Sequence, residues 1–361
     1  MEKPLIIAYY LPQFHPIKEN DEWWGEGFTE WTNVRKAKPL FKGHDQPRIP
    51  TELGYYDLRD PKIREEQVRL AKESGVGGFC YWHYWFNGKQ LMNNIIDDVA
   101  CNGPDFPFGL GWANETWSKK MWKKDVSHDR VLIEQTYGGL KDCRAHYEYV
   151  SKLFKKDNYI RIDGKPFFLV YKPENLPDPQ LYIDLWNEWV KEDGIAEEIF
   201  FVGCLDNEND LDKYLNKGFS CLTPNPNPRV LECYRTENNI FNKAINKIKR
   251  TYFHIPRIID MQEANAYIVN RDYDIQETVI PVLYPQWDHS PRSKEFVFVV
   301  VNSTPDIFRE QAQIIKGIVH RKNNKIVMLK SWNEWAEGNY MEPDKTNGNG
   351  FIKALGSVFN S

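Results

Sequence analysis

The stretch KIVMLKSWNEWAEGNYMEPD (325–344) begins with an apolar run, Ile326 to Leu329, and passes at once into indoles and paired carboxylates. The run shows no polar–apolar alternation, so it suits a strand buried on both faces, as in parallel sheets covered by helices. Seven earlier stretches read the same way: PLIIAYY (4–10), GGFCYWHY (77–84), PFGLGW (107–112), PFFLVY (166–171), IFFVGC (199–204), FSCLT (219–223) and VIPVLYP (279–285). Helix signals lie between them. Asp60 followed by Pro61 opens one helix and Gly75 closes it, the N-cap, first-turn and C-cap residues that backbone geometry favours. Thr304 followed by Pro305 opens another, with Ile307, Ile314, Ile315, Ile318 and Val319 at helical spacing. LKDCRAHYEYVSKLFKK (140–156) and PQLYIDLWNEWVKEDG (179–194) fit the same role. Eight strands alternating with helices predict an α/β fold, a (β/α)8 TIM barrel, with residues 1–361 forming a single catalytic domain. The alternative, a doubly wound open sheet, lacks support because no glycine-rich phosphate loop follows any strand. Two connections are long: Leu11 to Asp60 after the first strand, and about Pro224 to Thr278 after the sixth. Long ordered loops often serve function.

Acidic and basic residues nearly balance, and no basic stripe suggests nucleic acid as a partner. The basic run NKAINKIKRTYFHIPR (242–257) reads as a solvated helix face. Six cysteines are scattered without a CxxC pair, which points to reduced thiols. No stretch is long enough to span a membrane, and the opening MEKPLIIAYYLPQF is too short for a signal peptide. These features indicate a cytoplasmic protein, or a periplasmic or surface one if a leader has been removed.

The aromatic residues are unusual in their setting. Many of the 13 tryptophans sit among polar residues, as in DEWWGEGFTEW (21–31), CYWHYWFNG (80–88) and GWANETWSKKMW (111–122). Such indoles suit a wet cleft that stacks sugar rings, whose C–H faces are apolar and whose edges carry hydroxyls. In a barrel of this kind catalytic groups come from the C-terminal ends of strands. Those ends here carry Tyr10 with His15 beyond, then Trp82, His83 and Tyr84, then Trp112, Asn114, Glu115 and Trp117. They continue with Tyr171, with Trp287 and Asp288, and with Asn333, Glu334, Trp335 and Glu337. The opposite ends read GKP, NNK and EEI, plain surface turns.

Glu334 and Glu337 are the candidate catalytic pair, and the remaining residues of that set are candidate substrate contacts. Cleaving a glycosidic bond takes one protonated and one charged carboxyl, and neighbouring carboxylates push their own pKa values apart. Three residues apart, the two would face one way on a helical turn. Glu115 is a third candidate for catalysis or for hydrogen bonding to hydroxyls. His83 and His289 lack the spacing of a metal pair, so neither a metal nor another cofactor is expected. An oligosaccharide or polysaccharide is the expected partner.

The motifs AYYLPQFHP, WWGEGFTEWTNVRKAKPLFKGHDQPRIPTELGYYDL, GVGGFCYWHYWFNGK, WANETW and SWNEWAEGNYMEPD resemble those of the WbsX-like proteins, often encoded among bacterial O-antigen and capsule genes. NEWAEG (333–338) also resembles a signature of glycoside hydrolase family 99, the endo-acting α-mannosidases and mannanases. The resemblance implies the same barrel and a retaining hydrolysis of α-mannoside-like or α-rhamnoside-like linkages. By motif, Glu334 would deprotonate the sugar's 2-hydroxyl, whose oxygen attacks the anomeric carbon to give a 1,2-anhydro sugar. Glu337 would protonate the leaving group and then activate water. Ala336 stands where the family 99 motif often has histidine. WbsX-like proteins have also been labelled glycosyltransferases, which makes O-antigen or capsule synthesis the alternative. A metal-binding Asp-x-Asp for that chemistry could only be Asp210/Asp212 or Asp272/Asp274. The first pair reads as helix caps, and the second precedes the seventh strand at the wrong end.

Overall fold

The computed structural model describes residues 3–118, 131–237, 247–249, 251–252, 254–293 and 298–360. Its centre is a ring of eight parallel strands: β1 (Leu5–Tyr10), β2 (Gly78–Phe86), β3 (Phe108–Trp112), β4 (Lys165–Val170), β5 (Phe200–Leu205), β6 (Cys221–Pro224), β7 (Val282–Leu283) and β8 (Ile326–Leu329). Each predicted run supplies one strand. The ladder runs β6-β5-β4-β3-β2-β1-β8-β7. Leu222 closes the ring: its N–H donates to Thr278 O and its carbonyl accepts from Ile280 N–H, both at 2.8 Å. Strand β7 is shorter than the sequence suggests. Pro281 has no N–H to give, so only Val282 and Leu283 join the β8 ladder.

Helices fill the outer layer: α1 (Pro61–Ser74), α2 (Asn93–Asn102), α3 (Gly139–Phe154), α4 (Pro179–Glu192), α5 (Leu211–Leu215), α6 (Pro226–Glu237), α7 (Pro305–Val319) and α8 (Gly350–Phe359). The expected caps are in place. The Asp60 carboxylate accepts from Lys62 N–H at 3.0 Å, the Thr304 hydroxyl accepts from Ile307 N–H at 3.3 Å, and Gly75 takes the left-handed conformation that closes α1. The buried stripe of α7 is Phe308, Gln311, Ala312, Ile315, Ile318 and Val319. Ile307 and Ile314, expected on it, lie at its edge and are only partly buried.

Alternate residues of each strand belong to different cores, as a period of two requires. Ile7, Tyr9, Cys80, Phe167, Leu169, Val202, Ile280, Val282, Ile326 and Met328 fill the barrel interior. Ile6, Ala8, Tyr10, Phe79, Tyr81, Phe168, Val170, Phe201, Val327 and Leu329 face the helices. Gly111 is inward on β3 because a Cβ there would meet the Trp82 ring at 3.2 Å and Cys80 Sγ at 3.0 Å.

The two long connections are folded rather than loose. Leu11 to Asp60 carries helices Lys18–Trp24 and Glu30–Lys36 and lies over the end of β8, with Trp31 and Trp335 5.3 Å apart. Asn333 pins its start, accepting from Leu11 N–H at 2.7 Å and donating to Leu11 O at 3.0 Å. The sixth connection carries α6, helix Met261–Ile268 and a strand, Arg257–Asp260, paired with Phe298–Val301. Arg229 ties it together through Asp274 and Glu208. Of the basic run 242–257, residues 242–246, 250 and 253 lie outside the described residues. All six cysteines are free thiols. Among the described residues no helix is long and apolar enough to cross a membrane.

Candidate active site

After Leu329 the chain leaves the barrel wall and makes a short antiparallel pairing, Asn333–Glu334 with Asn339–Tyr340. The residues between form one 3₁₀ turn, Trp335–Glu337. Side chains three apart eclipse in such a turn, so Glu334 and Glu337 project together. Gly338 closes the turn at φ 55°, and a Cβ there would strike Asp288 at 2.6 Å. Asp288 N–H in turn donates to Glu337 O at 2.7 Å, fastening the segment after β7 to the turn.

Both glutamates line a pocket at the C-terminal mouth of the barrel, together with Tyr9, Gln13, Trp82, Tyr84, Glu115, Trp117, Tyr171, Asn225, Arg292 and Lys330. The walls continue the inward parity of β1, β2 and β4. Tyr9 and Trp82 stack at 4.9 Å and 6°, Tyr171 stands edge-on to Trp82 at 5.2 Å, and Tyr84 meets Trp117 edge-on at 5.0 Å. The opposite rim is polar. Lys172 pairs with Asp206, Asp206 accepts from Asn225, and Asn225 accepts from Lys330, whose ammonium lies over the Trp287 ring.

Three carboxylates share one guanidinium here. Arg292 donates to Glu337 Oε1 at 2.5 Å, to Glu334 Oε2 at 3.1 Å, and to Glu30 Oε1 from both Nε (3.0 Å) and a terminal nitrogen (2.5 Å). Trp82 Nε1 donates to the other Glu334 oxygen at 3.0 Å, and His289 Nε2 lies 3.9 Å from Glu337 Oε1. The two glutamates are driven apart electrostatically. Burial and the charge of Glu337 raise the Glu334 carboxyl well above its usual range. Burial also acts on Glu337, but Arg292, His289 and Lys330 outweigh it and hold that carboxyl below its usual range. These directions favour a proton on Glu334 and a charge on Glu337. Burial raises Glu30 and Glu115 as well.

Of the expected contacts, Trp82, Tyr84, Glu115, Trp117 and Tyr171 reach the pocket wall with Glu334 and Glu337. The others do not. Tyr10 donates to Gln67 in the helix layer at 2.7 Å. His15 pairs with Asn94 at 3.3 Å. His83 meets His146 at 2.9 Å behind the wall, kept neutral by burial that lowers it to about 3. Trp112 donates to Trp85 O and packs on His146 and Tyr182. Asn114 braces Lys172 through both its N–H and its carbonyl, at 2.8 Å each. Trp287 is buried against Phe298, and Asp288 is held by His44 and Gln46. Asn333 pins Leu11, and Trp335 donates to Glu342 at 2.6 Å. Tyr10, His83 and Trp112 fall outward by strand parity, and the rest act as braces for loops.

Gln13, Asn225, Arg292 and Lys330 line the pocket without having been singled out in the sequence, as does Tyr9, beside the chosen Tyr10; Glu30, also not singled out, lies behind the wall on Arg292. Parity points Tyr9 and Lys330 inward, and Glu30 lies inside the quoted DEWWGEGFTEW. Nothing local marks Arg292. Asp274, weighed as half of a metal motif, is buried against Arg229 at 2.9 Å. Among the described residues no three His, Cys, Asp or Glu side chains converge as a metal site would need.

Comparison with known proteins gives this arrangement a family. The structure resembles one titled "Glycoside hydrolase-like protein", with a TM-score of 0.61 at 15% identity, covering 99% of this chain and 94% of that one. It also resembles the GH99 endo-alpha-mannosidase from Bacteroides thetaiotaomicron, with a TM-score of 0.53 at 15% identity, covering 98% and 96%. At such identities the likeness shows a shared fold. WxcX of Xanthomonas campestris pv. campestris is 35% identical over 357 residues, 97% of this chain and 48% of that protein. The chain therefore spans about half the length of that relative. The profile of the family described as "Glycosyltransferase WbsX" matches residues 6–355. The chain belongs to the WbsX family.

Proposed function

We propose that the protein is a glycoside hydrolase acting, endo-fashion and with retention, on α-mannoside-like or α-rhamnoside-like linkages of a polysaccharide. The observation that carries this reading is a pair of carboxyls, Glu334 and Glu337, that share the Arg292 guanidinium at the mouth of an aromatic-walled pocket, one pushed up by burial and the other held down by neighbouring cations. Such a pair can work on a sugar whose 2-hydroxyl is trans to the leaving group. The charged carboxylate takes the hydroxyl proton, and O2 forms a bond to the anomeric carbon. The bond from that carbon to the leaving oxygen breaks as the neutral carboxyl gives it a proton. The carboxylate so formed takes a proton from water, whose oxygen bonds to the anomeric carbon; the bond from that carbon to O2 breaks as the first carboxyl returns its proton to O2, and two inversions give net retention.

The resemblance implies Glu334 as base and Glu337 as acid. The resting charges favour the reverse, with Glu334 as acid and Glu337 as base, and we adopt that allocation. The fully buried Ala336 supports no direct substrate contact at the position where family 99 often has histidine. The free thiols favour a reducing, cytoplasmic setting.

The test is incubation with a panel of α-mannoside and α-rhamnoside oligosaccharides and polysaccharides, with Glu337→Gln as control, followed by mass analysis and anomeric NMR. A released sugar of retained configuration, absent with the variant, is the expected result. The family's description as a glycosyltransferase supports a second reading, transfer in O-antigen or capsule synthesis. Turnover that begins only when sugar nucleotides are added would select it and overturn the hydrolase.

A further inference from the structure

We infer that Arg292, locked in place by the buried Glu30, is the positioning residue that decides which member of the Glu334–Glu337 pair carries the charge. This rests on the catalytic reading of that pair. The geometry is unequal in a way that matters. Arg292 spends Nε and one terminal nitrogen on Glu30 Oε1, at 3.0 and 2.5 Å. That grip fixes the guanidinium plane and leaves the other terminal nitrogen aimed at Glu337, 2.5 Å away. Glu334 receives only a longer, shared contact of 3.1 Å. Its second oxygen faces a neutral donor, the Trp82 indole. A charge-assisted contact favours the ionised carboxylate more than a neutral N–H does.

The anchor is built into the fold. Glu30 is fully buried in the first turn of helix Glu30–Lys36, and its N–H donates to Gln13 O at 3.2 Å. Arg292 follows the segment that Asp288 fastens to the 3₁₀ turn. The long first connection and the segment after β7 thus meet at this arginine and the glutamates it holds together, as they also do where His44 and Gln46 hold Asp288. Three carboxylates around one guanidinium cannot all ionise cheaply away from water, so a proton must reside on one of them. The arginine's aim selects Glu334. Other groups facing the cluster do not reverse this choice. His289 and Lys330 lie on the Glu337 side. The phenols of Tyr84, Tyr171 and Tyr284 stay neutral because burial raises them. Glu115 stands across the pocket and is itself raised by burial.

The test is a carboxyl titration by NMR of the whole chain labelled with glutamate carrying 13C at the side-chain carboxyl. Glu334→Gln and Glu337→Gln assign the two resonances. In the parent protein the Glu337 midpoint is expected below the ordinary glutamate range and the Glu334 midpoint above it. Arg292→Met should raise the Glu337 midpoint by about 1–3 pH units, the usual effect of losing a cation at this range. Arg292→Lys, which keeps the charge without the fork, should raise it less. Glu30→Gln removes a competing charge and should lower the Glu334 midpoint. A Glu337 midpoint unmoved in Arg292→Met, with a native near-UV circular dichroism spectrum, would overturn the inference. If that variant does not fold, unmoved midpoints in both Arg292→Lys and Glu30→Gln would do so. The titration uses no substrate, so it fails separately from the hydrolysis assay.

Discussion

Trp82 and His83 are neighbours on one strand, yet they belong to different parts of the molecule. Trp82 points into the barrel mouth, stacks on Tyr9 and donates to Glu334. His83 points into the helix layer, is fully buried, and meets His146, which in turn contacts the Tyr182 hydroxyl at 2.6 Å. Both sit in the aromatic run CYWHYWFNG, and composition cannot tell them apart. The difference is one step of strand parity. The inner face lines a pocket, with the Trp82 and Tyr171 rings left partly open beside two acids. The outer face is shaped for packing, with polar atoms paired among buried rings.

The comparison would break most visibly at the carboxylates. Glu334→Gln and Glu337→Gln should each lower turnover of the natural glycan by about 10²–10⁴-fold, the usual contribution of a positioned acid or base, with near-UV circular dichroism unchanged. Trp82→Ala removes a stacking face and a Glu334 donor together. A loss of about 10–100-fold in kcat/KM is expected, at about 1–3 kcal/mol for such combined contacts. His83→Ala should do the opposite. It opens a cavity and unpairs His146, so urea unfolding should show a loss of about 2–4 kcal/mol, while kcat/KM of the folded fraction stays near the parent value. If His83→Ala spared stability and removed activity, the division of the strand into two faces would fail.

A smaller effect concerns the segment that carries Arg292. Burial alone would raise the Asp288 carboxyl, but His44, Ser290 and Gln46 hold it at about 2. A depressed carboxyl stabilises the folded state above its unfolded pKa, and that contribution is lost as pH falls through the folded one. The window is therefore about pH 4 down to 2, and a shift of this size corresponds to roughly 2 kcal/mol. Asp288→Asn should flatten stability across that window, which thermal unfolding at stepped pH would check.

The barrel was legible because buried parallel strands leave continuous apolar runs, and all eight did so. Its weakest strand, β7, was overestimated because Pro281 shortens its ladder. The candidate pair Glu334 and Glu337 was legible because position and residue type coincide at the end of β8. Nine of the fourteen expected contacts lie off the pocket wall, most of them for two reasons. Tyr10, His83 and Trp112 were assigned by nearness to a strand end, although parity turns them outward. Asn114, Asp288 and Asn333 are polar residues at the mouth that hydrogen-bond to loops instead of facing the pocket. Arg292 lies 42 residues from Glu334 and 262 from Glu30, and only the folded chain brings the three together.

The most direct measurement is first-turnover release of dinitrophenolate from 2,4-dinitrophenyl α-mannoside by the parent protein, Glu334→Gln and Glu337→Gln. This leaving group departs without a proton, so only the base is needed. Glu334→Gln should keep the release and Glu337→Gln should lose it. Release at the parent rate from both variants would contradict a catalytic role for the pair.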